Sequence, residues 1–288
     1  MLDERYAPLA ISLSYEEAGK LKRAVAGKKC AWARDTISEE SPSKTVRSIA
    51  EKMRRELGRV GYSVLSLPPE ISEGDGSAAS NAVNLMVTGL VEPIRVFKKD
   101  PSHWRELFVD IDRPARRSRG VGSLPLHQDF VNAMWPPDYV CMYCRRPDPL
   151  GGGETILAGF EGIVKRLRDP AFDVLSERRF VDGRVHDLAN VGEDINPFAV
   201  VNPGKAFTIR YTGHLLDSAN GEAEMLALTE LSELLSRTTT KYRLGQGDLL
   251  VIDQRRALHG RSELGGDQRL LPENERRLVM LSYGRRRD

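Results

Sequence analysis

Apolar residues recur at helical spacing in three stretches of the first third of the chain, which predicts amphipathic helices over residues 16–26, 44–57 and about 79–90. Ser14, a residue type that caps helix N-termini, precedes the first stretch. Residues 62–67 alternate between apolar and polar positions and stop before a Pro-Pro pair, which predicts a half-buried strand. The first third is therefore expected to be mixed α/β.

From residue 107 onward the pattern changes to short apolar runs bounded by turn residues. These runs predict strands over residues 107–111, 139–144, 155–158, 207–211, 249–253 and 278–283. Helical patterns near residues 160–167 and 222–235 interrupt them. Two turn-rich stretches, residues 70–80 and 265–274, predict mobile loops.

Many short strands without βαβ alternation favour a closed or sandwiched antiparallel sheet. The fold class is therefore predicted to be mixed α/β with a mainly β core. A chain of 288 residues of this kind commonly stays one domain. We expect a single domain over residues 1–288, in which a mixed helical and strand part, residues 1–106, packs on a β core formed by residues 107–288.

Charge and cysteine content narrow the class of protein. The 43 basic and 41 acidic residues leave a formal net charge of +2, so no single-sign field favours a nucleic acid or an anionic membrane as partner. A charged N-terminus without an apolar segment after it, and three cysteines, indicate neither a signal peptide nor a disulfide framework. We therefore expect a cytoplasmic protein with a small-molecule substrate; nothing in the sequence indicates an oligomeric state.

Three side chains are candidates for a metal centre. His127 and Asp129 are two residues apart, so on a strand they would face the same side. His259 follows the apolar strand at residues 249–253 and could supply a third ligand. Two imidazoles and a carboxylate suit Fe(II) and leave coordination positions open. His-x-Asp alone is a weak motif, and an isolated histidine is more often a hydrogen-bonded surface or core residue.

The His-x-Asp motif is part of a wider pattern of six segments in a fixed order. They are SLPLHQDF at 123–130, PDYV at 137–140, GGGET at 151–155, GDLL at 247–250, HG at 259–260 and ERRL at 275–278. In this order they resemble the taurine dioxygenase and clavaminate synthase-like family of Fe(II)- and 2-oxoglutarate-dependent oxygenases. The resemblance covers residues 107–284 in pieces. It implies a distorted double-stranded β-helix, or jelly roll, which agrees with the predicted strands.

The resemblance also implies residue roles. His127, Asp129 and His259 resemble the iron ligands, whereas Thr155 and Arg277 resemble the residues that hold the distal carboxylate of 2-oxoglutarate. The reaction it implies consumes O2 and 2-oxoglutarate, releases succinate and CO2, and hydroxylates or desaturates a C–H bond. No catalytic residue beyond the metal centre is implied.

Two details refine this assignment. Arg276 and Arg277 would face opposite sides of a strand, and we choose Arg277 because it shares a face with Val279, Leu281 and Tyr283. Leu281 occupies the position, four residues after the cosubstrate arginine, where some relatives have a substrate-binding arginine, so a sulfonate held in that way is disfavoured. The carboxylate at Asp129 disfavours halogenation, for which relatives leave that position empty.

Candidate substrate-binding residues follow the first ligands and the predicted strand at 207–211: Phe130, Asn132, Trp135, Arg210 and Tyr211. Ordinary loop or core packing explains each of them equally well. An amino acid or a natural-product intermediate is the substrate class that the resemblance suggests. Two alternatives stay open, a Zn(II)- or Mn(II)-dependent hydrolase or isomerase on the same fold and a non-catalytic ligand-binding relative.

Cys141 and Cys144 have the CxxC spacing of some zinc and redox sites. Residues three apart on a strand point to opposite faces, so we expect both thiols to be structural. Gly151–Gly153 precedes neither a helix start nor a P-loop lysine, so we interpret it as a turn between strands.

Overall fold

A computed structural model describes residues 10–32, 43–73, 76–115, 117–160, 162–182, 197–202 and 208–287. In this part of the chain the α-helices are α1 (Tyr15–Val25), α2 (Lys44–Val60), α3 (Pro69–Ser72), α4 (Ser77–Leu90), α5 (Asp169–Ser176) and α6 (Glu222–Ser236). The strands are β1 (Ile11–Ser12), β2 (Tyr62–Ser66), β3 (Glu92–Ile94), β4 (Trp104–Phe108), β5 (Leu124–His127), β6 (Tyr139–Arg146), β7 (Thr155–Gly159), β8 (Val201–Asn202), β9 (Thr208–Ile209), β10 (Thr239–Tyr242), β11 (Asp248–Asp253), β12 (Ala257–Arg261) and β13 (Leu278–Arg285).

Two sheets form the centre of the described structure. The larger sheet has the order β1-β2-β11-β6-β13-β3, with β4 also paired to β13, and the smaller has the order β10-β7-β12-β5. Apolar side chains from both sheets form one buried cluster, in which Leu157 and Ala257 of the smaller sheet meet Val140, Leu250 and other residues of the larger one. We call this cluster the interior. The predicted antiparallel, mainly β core is confirmed.

Strand alternation separates the interior from the outer layers. Val279 and Leu281 of β13 lie in the interior, whereas Met280 lies in an outer cluster with α1, α2 and α4. The same alternation on β6 sends Cys144 into the interior and Cys141 into the outer cluster, so the two thiols do not converge, as predicted. Helices α5 and α6 cover the smaller sheet through a third cluster.

Local signals explain why the N-terminal helices were predictable. Ser14 accepts a hydrogen bond from the backbone N–H of Glu17, whose carboxylate accepts from the Ser14 N–H, so α1 begins with a complete capping box. Ser43 caps α2 in a similar way. Helix α2 ends at Gly61, whose φ of 87° is a left-handed conformation that glycine adopts without strain.

Several segment predictions are wrong in detail. The stretch 70–80 is not one loop, because it contains most of α3 and the start of α4. The helix predicted near 160–167 is a short 3₁₀ turn, Val164–Arg166, and the strand predicted at 207–211 shortens to β9, with residue 207 outside the described part. The stretch 265–274 includes two 3₁₀ turns, and Gln268 in it is buried.

The N-terminal part also contributes to the β structure. Strand β2 lies between β1 and β11, and β3 pairs with β13, so residues before 107 complete the larger sheet. That the chain forms a single domain, in which residues 1–106 pack on a core formed by residues 107–288, stays a prediction. No helix within the described ranges is long and apolar enough to cross a membrane.

Candidate metal centre

Neighbouring strands of the smaller sheet carry the two candidate histidines. His127 is the last residue of β5, and His259 lies within β12; the two are direct partners across the antiparallel pair. His259 is also paired with Leu157 of the interior, so both rings face the space between the sheets. The ring centroids are 4.4 Å apart.

The carboxylate reaches the same place by a different route from the one predicted. Strand β5 ends at His127, so Asp129 lies beyond the strand and does not share its face by strand alternation. Instead, the backbone N–H of Asp129 donates to the side-chain oxygen of Gln254 at 2.7 Å, which holds the chain after the strand. Oδ1 of Asp129 then lies 3.5 Å from Nε2 of His127, and Oδ2 lies 3.6 Å from Nε2 of His259.

This arrangement can hold a metal ion. One ligand atom from each of His127, Asp129 and His259 lies within 4.8 Å of the others. Nδ1 of His127 is 2.8 Å from the carbonyl oxygen of Pro125, a contact that places the proton on Nδ1 and leaves the Nε2 lone pair facing Asp129. The donor set is two imidazole nitrogens and one carboxylate, with the remaining directions open.

Protonation states fit metal binding at neutral pH. Burial lowers the pKa of His259 to about 4, so its imidazole is neutral and its lone pair is available. Burial opposes ionisation of Asp129, but its neighbours His127, His259 and the Tyr283 hydroxyl together hold the pKa of this carboxyl well below its usual range. The site thus presents an anionic carboxylate between imidazoles.

A buried cation lies beside the turn that precedes Thr155. Arg277 is buried, and no hydrogen bond or salt bridge engages its guanidinium among the described residues. Burial lowers the pKa of Arg277, although Cys144 and Asp148 oppose that shift. Thr155 is 3% exposed and lies two residues from Leu157 on β7, so it faces the interior. A buried cation of this kind favours an anionic ligand.

The side chain of Arg276 makes hydrogen bonds away from the metal centre. Its Nε donates at 3.1 Å to the carbonyl oxygens of Gln268 and Leu271, so it ties down the segment before β13. Arg277 is therefore a buried side chain, whereas the side chain of Arg276 binds the segment that precedes β13. Their roles toward a cosubstrate stay predictions.

Comparison with known proteins agrees with this geometry. The sequence model of the taurine catabolism dioxygenase TauD, TfdA family matches residues 89–279, more than half of the chain. The chain belongs to the TauD/TfdA family. This confirms the predicted resemblance.

Similar proteins extend the comparison. The TauD/TfdA family chain is 25% identical over 160 residues to gamma-butyrobetaine dioxygenase of Homo sapiens, covering 49% of this chain and 40% of that protein. It is 28% identical over 148 residues to clavaminate synthase 2 of Streptomyces clavuligerus, covering 48% and 44%. The matched segments thus span less than half the length of either relative.

A solved structure shows the fold over nearly the whole chain. Asparagine oxygenase in complex with Fe(II), 2S,3S-3-hydroxyasparagine and succinate superposes with a TM-score of 0.75 at 19% identity, covering 96% of this chain and 93% of that one. The predicted jelly-roll fold is therefore confirmed, with the helices on the outside of the sheets.

Three residues without a predicted role also lie at or near this candidate site. Gln254 and Tyr283 hold Asp129, through its backbone and through its Oδ2 respectively. Arg261, two residues after His259, is the direct strand partner of Thr155 and is buried. For Arg261, the signal in the sequence was a charged residue two positions after the candidate ligand His259. Only the strand register shows that this position faces the interior.

Arg261 brings a second cation next to Arg277. Its Nη2 donates to the carbonyl oxygens of Gly120 at 2.5 Å and Gly122 at 2.6 Å, so it joins β12 to the segment leading into β5. Burial and the charge of Arg277 lower the pKa of Arg261 to about 10. Two buried guanidinium groups make this end of the interior electropositive.

One of the substrate-binding candidates lies next to the candidate metal centre. The ring of Phe130 packs edge-on against Tyr283, with centroids 5.0 Å apart, and against Phe97, with centroids 5.6 Å apart. Phe130 has a φ of 59°, the single positive φ of a non-glycine residue among the described positions. This residue follows Asp129 directly, so its backbone conformation turns the ring toward the aromatic neighbours of the site.

The other four candidates lie in different settings. Asn132 exchanges hydrogen bonds with the backbone of Asp182, and Trp135 is 60% exposed. Tyr211 is buried in the cluster beneath α5 and α6. Arg210 lies behind the loop that follows the ligands, with Nη1 3.4 Å from the carbonyl oxygen of Ala133. None of these contacts is with the side chain of His127, Asp129 or His259, and the substrate role of the four residues stays a prediction.

Proposed function

We propose that this chain is an Fe(II)- and 2-oxoglutarate-dependent dioxygenase that hydroxylates or desaturates a C–H bond of a small, amino-acid-like molecule. O2 and 2-oxoglutarate are consumed, and succinate and CO2 are released. The observation that supports this best is the convergence of His127, Asp129 and His259, together with a buried guanidinium, Arg277, that has no partner of its own among the described residues.

The donor set suits Fe(II). Neutral imidazoles and a hard carboxylate are the ligands of non-haem Fe(II) oxygenases, and three protein ligands leave room for a chelating cosubstrate and O2. Two of the ligands are already oriented by hydrogen bonds to outer groups. Gln254 and Tyr283 hold Asp129, and the carbonyl oxygen of Pro125 holds His127, so metal binding needs little rearrangement. Bound Fe(II), with 2-oxoglutarate and O2, supplies the oxidising power that removes hydrogen from an unactivated C–H bond.

The chain's own residues position the cosubstrate. The guanidinium of Arg277 can donate two parallel hydrogen bonds to the distal carboxylate of 2-oxoglutarate, and the hydroxyl of Thr155 can donate a third. Arg261 adds positive charge on the same side. The surrounding interior is apolar, so these charges act in a region from which water is excluded.

Substrate class is inferred from the relatives. The human relative is named for gamma-butyrobetaine, and the structural neighbour holds 2S,3S-3-hydroxyasparagine. Both molecules combine a carboxylate with a nitrogen group in a small skeleton. An amino acid or a related biosynthetic intermediate is therefore the class we propose; a cytoplasmic location also stays a prediction.

A spectroscopic assay separates this function from its alternatives. Anaerobic addition of Fe(II) and 2-oxoglutarate should produce a weak visible charge-transfer band, and O2 with a substrate should then yield succinate. A Zn(II)- or Mn(II)-dependent hydrolase would give neither the band nor succinate, and a binding relative would give the band without succinate. Absence of the band with metal bound would overturn the proposal.

A further inference from the structure

An aromatic wall leads from Asp129 toward the edge of the larger sheet. Tyr283 hydrogen-bonds Asp129, Phe130 packs against Tyr283, and Phe97 packs against Phe130. At the far end the guanidinium carbon of Arg105 lies 3.9 Å from the centroid of the Phe97 ring. These contacts connect a cationic side chain to the metal centre through three rings.

Strand register places Arg105 on the inner side of the sheet. Arg105 on β4 is the direct partner of Leu281 on β13, and residues directly opposite one another share a face. Leu281 is an interior residue, as is Tyr283 two positions further along β13. The ring contacts through Phe97 and Phe130 connect Arg105 to Tyr283, which touches Asp129. The side chain of Arg105 is 34% exposed, which puts it at the border between interior and solvent.

Arg105 is only weakly engaged by the described part of the protein. Its polar contact there is one interaction of 3.5 Å between Nη1 and Oδ2 of Asp100, at the limit of a hydrogen bond. A guanidinium carries five N–H donors, so most of its capacity is unused. Asp100 is similarly under-compensated, because burial raises its pKa although Arg105 and Arg95 oppose that shift.

The weakly interacting pair of Arg105 and Asp100 has the charges and the location that would suit a zwitterionic ligand. A ligand carrying one carboxylate and one ammonium group could replace the contact of 3.5 Å with two shorter ones, without changing the net charge of the site. Its carboxylate would meet Arg105, its ammonium group would meet Asp100, and its remaining carbon atoms would lie along the rings of Phe97 and Phe130 toward Asp129. A neutral or purely cationic ligand would leave the guanidinium without an anion.

We propose that Arg105 and Asp100 bind the carboxylate and the ammonium group of the substrate, and that the substrate is therefore a zwitterionic α-amino acid. This inference rests on the proposed function and names the substrate class of the same site. Arg105 and Asp100 determine specificity, and Phe97 and Phe130 direct the side chain of the amino acid toward the metal centre.

A second ion pair, between β6 and β4, provides a control. Arg145 lies 3.3 Å from Glu106, and the Arg145 side chain is 33% exposed, close to the value of Arg105. Glu106, however, is the partner of Met280, which belongs to the outer cluster. The two arginines thus have similar exposure and similarly loose partners, but they lie on opposite faces of the sheet.

The test measures ligand binding in the anaerobic complex with Fe(II) and 2-oxoglutarate, without turnover. Glycine and each of the nineteen chiral L-amino acids of proteins are titrated while the visible band and the heat of binding are recorded. The best-bound amino acid is then compared with its α-amide, which lacks the carboxylate, and with its deaminated acid, which lacks the ammonium group. For L-asparagine these analogues are L-asparagine amide and succinamic acid. The variants are Arg105→Gln, Asp100→Asn and the control Arg145→Gln.

We expect Arg105→Gln to weaken binding of the amino acid about ten- to hundredfold, the usual effect of losing charge-assisted hydrogen bonds. The amide should bind the wild-type protein equally weakly and should be unaffected by Arg105→Gln. Asp100→Asn should act in the same way on the ammonium group, and Arg145→Gln should change nothing.

Three outcomes would overturn the inference: no L-amino acid perturbs the wild-type band, the amide binds as tightly as the acid, or Arg105→Gln binds the acid as well as the wild type. In each of them a normal band with Fe(II) and 2-oxoglutarate would leave the proposed function standing. Loss of the band in the wild-type protein would instead remove the proposed function and this inference together.

Discussion

The hydroxyl of Tyr283 donates a hydrogen bond of 3.1 Å to Oδ2 of Asp129, although 154 residues separate the two in sequence. Tyr283 lies on β13 of the larger sheet, and Asp129 follows β5 of the smaller one. The contact therefore joins the two sheets at the metal centre. It also uses one carboxylate oxygen, which biases Asp129 toward binding a metal through the other.

Replacing Tyr283 with Phe removes this hydrogen bond while keeping the ring that packs against Phe130. Loss of an outer partner of a metal ligand commonly weakens metal affinity by about ten- to a hundredfold. We therefore expect Tyr283→Phe to bind Fe(II) about tenfold more weakly, measured by anaerobic calorimetric titration. The folded state should be little affected, because an apolar ring remains in an apolar setting.

The matched control is Tyr242→Phe. The Tyr242 hydroxyl donates to Oδ2 of Asp248 at 3.1 Å, the same chemistry and distance in a different part of the fold. This variant should bind Fe(II) as the wild type does. Equal metal affinity in both variants would show that the Tyr283 hydroxyl has no part in holding the metal ligand.

Arg277 offers a prediction in which binding and stability change in opposite directions. A buried cation without a partner destabilises the folded state, so Arg277→Met should raise the melting temperature of the metal-free protein. The same change removes the proposed anchor for the distal carboxylate and should weaken 2-oxoglutarate binding about ten- to a hundredfold. Thermal denaturation and titration of the charge-transfer band measure the two effects.

Arg276→Met serves as the comparison. Arg276 holds the segment before β13 through the carbonyl oxygens of Gln268 and Leu271, so its loss should lower stability and leave 2-oxoglutarate binding nearly unchanged. If instead Arg276→Met abolished cosubstrate binding and Arg277→Met did not, the assignment of the two arginines would have to be exchanged.

Sequence patterns were most informative where local chemistry decides the structure. The capping box at Ser14 and the apolar face of α2 act over a few residues, and both helices lie where the pattern predicted. The histidines were predictable as candidates because the spacing of motifs around them resembles a family pattern. The helix predicted near residues 160–167 was wrong, because the apolar residues there pack in the cluster beneath α6 from a short 3₁₀ turn.

Long-range register could not be obtained in this way. Nothing in the sequence near Arg105 shows that it lies across from Leu281, and nothing near Tyr283 shows that it reaches Asp129. The carboxylate of Asp129 reaches the other two candidate ligands with the help of Gln254 and not through strand alternation, so the reason given by the sequence pattern was incomplete. Contacts between distant segments depend on how the two sheets pack, which local patterns do not encode.

Asp129 itself tests the metal assignment. Asp129→Ala removes the anionic ligand and leaves two imidazoles, which bind Fe(II) far more weakly. We expect this variant to lose the charge-transfer band with Fe(II) and 2-oxoglutarate at concentrations that saturate the wild-type protein. Asp138→Ala, a change of another partly buried aspartate that lies in an ion pair with Arg255, should retain the band. A band of normal intensity in Asp129→Ala would exclude Asp129 as a ligand.

The turn between β6 and β7 connects backbone packing to the proposed cosubstrate site. A Cβ atom at Gly152 would lie 2.2 Å from the backbone nitrogen of Gly265, so an alanine there must move one of the two segments. Asp148 normally holds both segments by accepting from the N–H groups of Gly152 and Gly265. Because the side chain of Arg277 passes beside Gly153, a displaced turn should also displace the guanidinium.

We therefore expect Gly152→Ala to lower stability by about 1–3 kcal/mol, the range for a forced steric overlap, and to weaken 2-oxoglutarate binding at the same time. Gly58→Ala is the control, because Gly58 lies within α2 and a Cβ atom there would meet no described neighbour within 4 Å. Alanine there should stabilise the protein by about 0.5–1 kcal/mol through helix propensity and leave binding unchanged. Denaturant unfolding and cosubstrate titration of both variants decide the matter: if Gly152→Ala retained full stability and affinity, the close approach of the two segments would have no role in shaping the site.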